Sequence, residues 1–251
     1  NIDDSGICII SLNRKPVNAL SYDLLNDLKK IFIKIGKNNK IRVIIIKSDL
    51  AHFSAGADLK ERKIMSKDDA GIALDNFNDC FNEIENISIP TICLINGYCL
   101  GGGAELSLAC DFRIASNDSL IGFPEVSIGI IPGAGGTQRL PKLIGLSNAK
   151  YWIYTAKKFD AKEALSYGFV NLICDNNELL HKAMNLANKI IRNAPIAVIS
   201  SKKAINEGYS KSIDEGLKVE RCNYNVSLNT KDRDEALDAF VNKRKPQWNN
   251  E

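Results

Sequence analysis

Runs of β-branched residues, each about as long as a β-strand, are the feature that most constrains how this chain can fold. The segments "ICIISL", "IRVIIIKS" and "PTICLING" are of this kind, and "CDFRIAS" and "SLIGF" add shorter candidates. Between the first two runs, Ser21 is a favourable N-cap, and apolar residues from Leu24 to Ile35 recur with helical spacing. This succession of strand, helix and strand predicts an α/β fold with right-handed crossovers.

The second half of the chain has a different pattern. Beyond residue 135 it becomes mostly helical, in the segments "AKYWIYTAKKF", "DAKEALSYG", "NELLHKAMNLANKIIRN", "PIAVISSKKAINEG", "SIDEGLKVERCNYNVSL" and "KDRDEALDAFVNKR". The last three segments follow Pro195 and are expected to form a separate helical layer. The sequence thus predicts two regions, residues 1–194 and residues 195–251.

Composition restricts the class of protein. Among 251 residues, 33 Lys and Arg face 30 Asp and Glu, a balance that disfavours a general nucleic-acid binder. No run reaches the roughly 18 apolar residues of a membrane span, so no membrane partner is expected. The seven cysteines lack any CxxC pair and mostly lie in apolar runs, which predicts buried free thiols in a reducing compartment. No targeting peptide is visible in "NIDDSGICIISLN", although a leader removed earlier stays open.

Two glycine-rich loops are candidate anion sites. In "GYCLGGGAELSLAC" the backbone amides of Gly102 and Gly103 are expected at a helix N-terminus, which favours negative charge. A tight turn with no ligand is an equal alternative. The loop "HFSAGADLKE" could direct the amide of Ala57 to the same point, although that segment alone favours a surface turn. Two converging amides would form an oxyanion hole.

Glu105 and Glu125 are both embedded in small and apolar residues, where an ionised carboxylate is costly. One interpretation is a capping or ion-paired role, with Arg113 or Arg139 as the partner of Glu105. The other is a pair of carboxyl groups with shifted pKa values that move protons around one water. The only histidines, His52 and His181, give little support to a catalytic triad or a zinc site.

Five segments together resemble the enoyl-CoA hydratase/isomerase (crotonase) family over essentially the whole chain. They are "HFSAGADLKE", "INGYCLGGGAELSLACDFRIA", "GFPEVSIGIIPGAGGTQRLPKLIG", "DAKEALSYGFVN" and "TKDRDEALDAFVNKRKP". The resemblance implies a spiral of ββα units, followed by a C-terminal helical region that forms trimers. It also implies an acyl-CoA substrate and a homotrimer or a dimer of trimers.

The resemblance assigns roles to particular residues. It implies that the amides of Ala57 and Gly102 bind the thioester oxygen, that Glu105 and Glu125 flank the reacting water, and that Gly133 lies near that water. It further implies CoA contacts at a second set of positions, Ala55, Asp58, Lys60, Phe240 and Lys243. The last two would reach CoA held by a neighbouring subunit. The resemblance implies no metal, flavin or nicotinamide, and CoA counts as part of the substrate and not as a cofactor.

Within the family, the chain is most similar to the methylglutaconyl-CoA hydratase and short-chain enoyl-CoA hydratase branches. Hydration would then serve fatty-acid β-oxidation or branched-chain amino-acid catabolism, including leucine degradation, in the mitochondrial matrix of a eukaryote or the cytoplasm of a bacterium. A double-bond isomerase is one alternative. RNA binding by the lysine-rich segment 26–40 is another, but Tyr22 and Asn26 depart from the pattern, and nucleic acid is disfavoured as a partner.

Overall fold

The computed structural model describes residues 2–251, and the α/β prediction is confirmed. The strands of this part are β1 (Ile7–Leu12), β2 (Val43–Ser48), β3 (Thr91–Ile95), β4 (Tyr98–Leu100), β5 (Phe112–Ser116), β6 (Leu120–Gly122), β7 (Lys158–Asp160) and β8 (Leu172–Cys174). The helices are α1 (Tyr22–Ile35), α2 (Leu59–Ile64), α3 (Lys67–Asn86), α4 (Gly102–Leu108), α5 (Gly136–Ile144), α6 (Leu146–Thr155), α7 (Ala161–Ser166), α8 (Leu179–Ile191), α9 (Pro195–Gly208), α10 (Ile213–Leu228) and α11 (Lys231–Val241). Two 3-10 helices span Pro124–Ile128 and Asn176–Glu178.

A five-stranded parallel sheet, in the order β1-β2-β3-β5-β8, forms the centre of the fold. Its strands are rich in apolar residues because both faces of the sheet are covered. Along β2, Ile44 and Ile46 enter the core shared with α1 and α3, whereas Val43 and Ile45 enter the core shared with α8. The alternation of side chains along one strand thus serves two cores.

Helix α1 forms as its sequence predicts. The Ser21 hydroxyl accepts a hydrogen bond from the Leu24 amide at 3.2 Å and caps the helix. Leu28, Phe32 and other apolar residues of one face are buried, whereas Ile31, which fits the helical spacing, is 40% exposed on the outer side. The helix packs against α3, which borders the candidate site.

A second sheet, in the order β4-β6-β7, positions the glycine-rich loop. Strand β4 pairs with β6 in parallel and leads directly to Gly101 and α4. Strand β7 lies in a segment that the sequence pattern predicts to be helical. Helix α6 instead ends at Thr155, where Ala156 caps it in a left-handed conformation. Strand β7 then pairs antiparallel with β6, and Phe159 is buried with its ring centroid 4.1 Å from that of Trp152.

The C-terminal helices begin at Pro195, directly after the predicted boundary, and α9 packs along α10. They carry many exposed apolar side chains: Ile205, Tyr209, Ile213, Leu217, Tyr224, Val226, Leu228, Leu237, Phe240 and Val241. Six cysteines are buried free thiols, but Cys222 is exposed on α10, so the prediction is wrong for that residue. No helix within residues 2–251 has both the length and the apolar character needed to cross a membrane.

Candidate active site

Two backbone amides converge where the loop after β2 meets the start of α4. A Cβ built on Gly56 would lie 3.3 Å from the Gly102 nitrogen, and one built on Gly102 would lie 3.5 Å from the Ala57 nitrogen. The Leu20 amide donates to the Gly56 carbonyl, and the Asp58 amide donates to the Leu20 carbonyl, so the intervening Ala57 amide takes no part in that ladder. Neither the Ala57 amide nor the Gly102 amide has an acceptor within residues 2–251.

The need for glycine differs between positions of this loop. Gly101 has φ +54° and ψ −124°, a conformation that side chains strongly disfavour. Gly103 allows close approach instead, because a Cβ there would lie 2.7 Å from Cβ of Ser54. The Ser54 hydroxyl in turn accepts from the Gly56 amide at 3.1 Å and donates to the Asn18 carbonyl at 2.7 Å. The glycines therefore let two loops pack closely and bring the amide nitrogens of Ala57 and Gly102 near each other.

Glu105 is almost fully buried, one turn into α4. Its Oε1 accepts hydrogen bonds from the amides of Ala134 and Gly136, both at 2.8 Å. Burial raises the pKa of Glu105, and these two amides act in the opposite direction, together with the positive charges of Arg139 and Arg62. Within residues 2–251, Oε2 receives no hydrogen bond, which leaves it available to a bound molecule.

The ion-pair interpretation of Glu105 does not hold. The Arg113 guanidinium donates to backbone carbonyls, including those of Phe169 at 2.7 Å and Cys110 at 2.7 Å. Arg139 forms its ion pair with Glu85, with 2.6 Å between Nη2 and Oε2. The charge of Arg139 still acts on Glu105, but no hydrogen bond joins the two side chains.

Glu125 lies in the 3-10 helix Pro124–Ile128, and its carboxyl group is close to Gly101. Burial raises its pKa to about 7, and the negative charge of Glu105 acts in the same direction. Its Oε2 is buried and has no hydrogen-bond partner within residues 2–251. A carboxyl group with this pKa can hold a proton near neutral pH and release it to a reacting group.

The glycine loop 133–136 contacts the Glu105 carboxylate through two of its backbone amides. The carbonyl of Gly133 accepts from the Asn78 amide group at 3.3 Å, whereas Ala134 and Gly136 hold the Glu105 carboxylate. The glycine spacing of "PGAGG" indicates a close backbone approach, but it does not identify which amide faces the carboxylate. A role for Gly133 beside the water stays a prediction.

Comparison with known proteins identifies the family. Residues 3–251 match the family described as enoyl-CoA hydratase/isomerase. A probable enoyl-CoA hydratase 2 of Arabidopsis thaliana, described as mitochondrial, is 45% identical over 98% of this chain and 82% of its own length. The mitochondrial methylglutaconyl-CoA hydratase of Mus musculus is 40% identical over 99% of this chain and 81% of its own length. The chain belongs to the enoyl-CoA hydratase/isomerase family.

A solved structure gives the same result for the fold. The crystal structure of an enoyl-CoA hydratase from Bacillus anthracis superposes with a TM-score of 0.96 and 43% identity, over 98% of this chain and 96% of that one. The crotonase-like architecture, with helices at the C-terminus, is therefore confirmed.

The residues that the family resemblance assigns to CoA lie in two segments of the chain, 55–60 and 240–243. Ala55 is exposed, and its amide donates to the Val17 carbonyl at 3.0 Å. The Asp58 carboxylate caps α2 through the Lys60 amide and pairs with Arg14 at 2.7 Å. Those contacts within the chain occupy its oxygens and hold the pKa of Asp58 below its usual value, chiefly through Arg14.

The remaining predicted CoA contacts lie on the surface. The side chain of Lys60 is exposed at the start of α2. Phe240 is 83% exposed near the end of α11, and Lys243 follows that helix with φ +52°. Their contacts with CoA stay predictions.

Proposed function

We propose that this protein is an enoyl-CoA hydratase that adds water across the 2,3 double bond of a 2-enoyl-CoA thioester. One observation carries the proposal: two backbone amides that have no acceptor in the described part of the chain lie near two carboxyl groups with raised pKa values. Relatives named as hydratases support a hydro-lyase. The thioester carbonyl oxygen would bind between the amides of Ala57 and Gly102, where developing negative charge is stabilised.

The two glutamates would then act on one water. Glu105 takes a proton from the water as its oxygen bonds to Cβ, and the electron pair of the double bond takes a proton from Glu125 at Cα. A proton passes from Glu105 back to Glu125, directly or through solvent, to restore the pair. The two carboxyl groups interact, so their titrations are coupled. This reaction needs no metal, flavin or nicotinamide, and CoA enters and leaves with the acyl group.

Retention of both glutamates favours hydration over double-bond isomerisation, which moves one proton without adding water. RNA binding has less support because the lysine-rich segment is partly neutralised. Lys29 pairs with Asp79 at 2.7 Å, and Lys30 lies 4.0 Å from Asp27 on the same helix. Near-neutral net charge points the same way.

For the acyl group, Arg62 favours a substrate with a distal carboxylate, such as 3-methylglutaconyl-CoA. Its guanidinium lies 5.4 Å from the centre of the Phe77 ring, and that ring borders Gly102. The positive charge of Arg62 also acts on Glu105. Within residues 2–251 Arg62 has no carboxylate within 4.0 Å, and its hydrogen bond goes to the Ala70 carbonyl at 3.3 Å. A substrate carboxylate would supply the missing counter-ion.

The exposed apolar residues of α9, α10 and α11 support assembly into a homotrimer or a dimer of trimers. Light scattering coupled to gel filtration should give three or six chains, and a monomer at working concentration would contradict this.

Two relatives are described as mitochondrial, and one solved structure comes from a bacterium. We therefore propose the mitochondrial matrix for a eukaryotic source and the cytoplasm for a bacterial one.

Ultraviolet absorbance of the enoyl thioester tests the function directly. Crotonyl-CoA, a longer 2-enoyl-CoA and 3-methylglutaconyl-CoA should each lose absorbance, with the largest kcat/KM for the last. Arg62→Met should lower the ratio of kcat/KM between 3-methylglutaconyl-CoA and crotonyl-CoA about tenfold, as loss of a charged hydrogen bond would. Lys63→Met, an exposed neighbour on α2, is the control. If only a 3-enoyl-CoA reacts, by gaining absorbance, the protein is an isomerase.

A further inference from the structure

The loop that holds Glu105 is itself held by a polar stripe on α3. Asn78, Asn82 and Glu85 are spaced to lie on one side of that helix. Asn78 donates to the Gly133 carbonyl at 3.3 Å, and the other two side chains accept hydrogen bonds from Arg139. Two side chains therefore donate hydrogen bonds to the loop 133–136: Asn78 of the stripe, and Arg139, which the stripe binds.

Arg139 connects this stripe to the backbone of the loop. Its Nε and Nη2 donate to Oε2 of Glu85 at 3.0 Å and 2.6 Å, and Nη2 also donates to Oδ1 of Asn82 at 2.8 Å. The remaining terminal nitrogen, Nη1, donates to the Ala134 carbonyl at 3.0 Å. All three nitrogens of the guanidinium therefore have acceptors, a fixed fork that a lysine cannot reproduce.

The peptide groups that Arg139 touches are next to those that bind Glu105. The amide of Ala134 donates to Oε1 of Glu105, and the carbonyl of the same residue accepts from Arg139. Gly135 lies between the two donors with φ +101°, and a Cβ on it would overlap the Arg139 guanidinium. The main-chain amide of Arg139 also donates to the Gly135 carbonyl at 2.7 Å. Movement of Arg139 would thus shift both donors.

We propose that Arg139 is a positioning residue: anchored by Glu85 and Asn82, it fixes the loop 133–136 so that two amides hold Glu105 in the orientation that hydration requires. This rests on the proposed function. Arg139 does not touch the reacting atoms, since its guanidinium is hydrogen-bonded to α3 and to the loop. Its effect on the reaction passes through the Ala134 and Gly136 amides and through its positive charge, which acts on Glu105.

The charges that act on Glu105 give the sign of the expected change. Its pKa is raised by burial and lowered by the two amides, by Arg139 and by Arg62. The carboxyl group of Glu125 also interacts with Glu105, whose negative charge raises the pKa of Glu125. Removing Arg139 takes away one positive charge and loosens two hydrogen bonds to the carboxylate, and both changes favour the protonated form. The pKa of Glu105 should therefore rise in Arg139→Gln.

Kinetics and a substrate-free titration test the proposal together. Arg139→Gln should lower kcat for crotonyl-CoA at least tenfold, with KM changed less than threefold. Arg139→Lys keeps the positive charge but not the forked set of donors, so its kcat should lie between those of the wild type and Arg139→Gln. Glu85→Ala, at a half-exposed site on α3, should resemble Arg139→Gln and serves if the latter does not fold. Lys29→Gln removes another α3 ion pair away from the loop and should keep wild-type kinetics.

The titration uses the carboxyl carbon resonance of Glu105, recognised by its absence in Glu105→Gln. In Arg139→Gln the midpoint should move to higher pH, whereas Glu85→Ala keeps the positive charge of Arg139 and is judged by kcat alone. An active wild type with an unchanged midpoint in folded Arg139→Gln, or with unchanged kcat in Glu85→Ala, overturns the positioning role. If the wild type hydrates no enoyl-CoA but the midpoint moves, the proposed function fails and the control of Glu105 by Arg139 stands.

Discussion

Gly101 and Glu125 share one space: a Cβ on Gly101 would lie 2.9 Å from Oε1 of Glu125. Because φ is +54° at Gly101, a side chain there is also strained by the backbone itself. The absence of a side chain at residue 101 thus allows the carboxyl group to reach the end of the glycine loop. The same peptide leads directly to the Gly102 amide, so the proposed proton donor and the proposed oxyanion site lie next to each other.

Gly101→Ala should therefore displace Glu125 and lower kcat for crotonyl-CoA at least tenfold. It should also reduce stability by roughly 1–3 kcal/mol because of the backbone strain. Gly71→Ala on α3 is the control, since a Cβ there meets nothing within 4 Å. Wild-type turnover by the folded Gly101→Ala protein would show that the position of Glu125 is not limiting.

Gly102→Pro tests the amide itself. Gly102 is the first residue of α4, where proline is tolerated, so the change removes a donor without breaking the helix. Gly102→Ala is the matched control, because both side chains meet Phe77 and Leu20 but only proline lacks the N–H. Relative to the alanine variant, we expect proline to lower kcat by about 10²–10³, as for other oxyanion donors. Equal kcat in the two variants would rule out this amide.

Stability should depend on pH through Glu125. Its pKa is about 7 in the folded protein and 4.5 without burial, so the folded state keeps the proton while the unfolded state loses it. The free energy of unfolding should therefore be highest below pH 4.5 and should fall as the pH rises to about 7. The expected decrease is on the order of 2 kcal/mol, after discounting the partial exposure of the side chain. Glu125→Gln should remove this slope. Urea unfolding at pH 5 and pH 8 measures it, and parallel curves for the two proteins would contradict the shifted pKa.

Lys243→Asn tests the predicted contact with the CoA 3′-phosphate. Asparagine tolerates the positive φ of +52° at this position, so the ammonium group is removed without new backbone strain. An exposed ion pair with a phosphate contributes about 1 kcal/mol, which predicts a several-fold higher KM with kcat unchanged. The penalty should shrink for a 3′-dephospho-CoA ester. Equal penalties on both esters would show that Lys243 does not bind that phosphate.

Local patterns in the sequence predict β1, β2, β3, β5, α1 and the C-terminal helices, because these elements bury continuous or periodic apolar residues, whereas the three-residue strand β8 is too short to give such a pattern. Glu105 and Glu125 are also identifiable, since carboxylates among small apolar residues require an explanation. The contacts of Ala134 and Gly136 are not, because they join backbone groups to a side chain 29 and 31 positions away. Arg139 likewise resembles any arginine of an amphipathic helix until α3 is placed beside it.

The central claim is that Glu105 and Glu125 act together on one water. The most direct measurement is kcat for crotonyl-CoA in Glu105→Gln and Glu125→Gln, with calorimetric binding of the saturated butyryl-CoA ester as the control. Each variant should lose at least 10²-fold in kcat while its Kd stays within threefold of wild type, because the carboxyl groups act only in the transition state. Near wild-type kcat in either variant would contradict the mechanism.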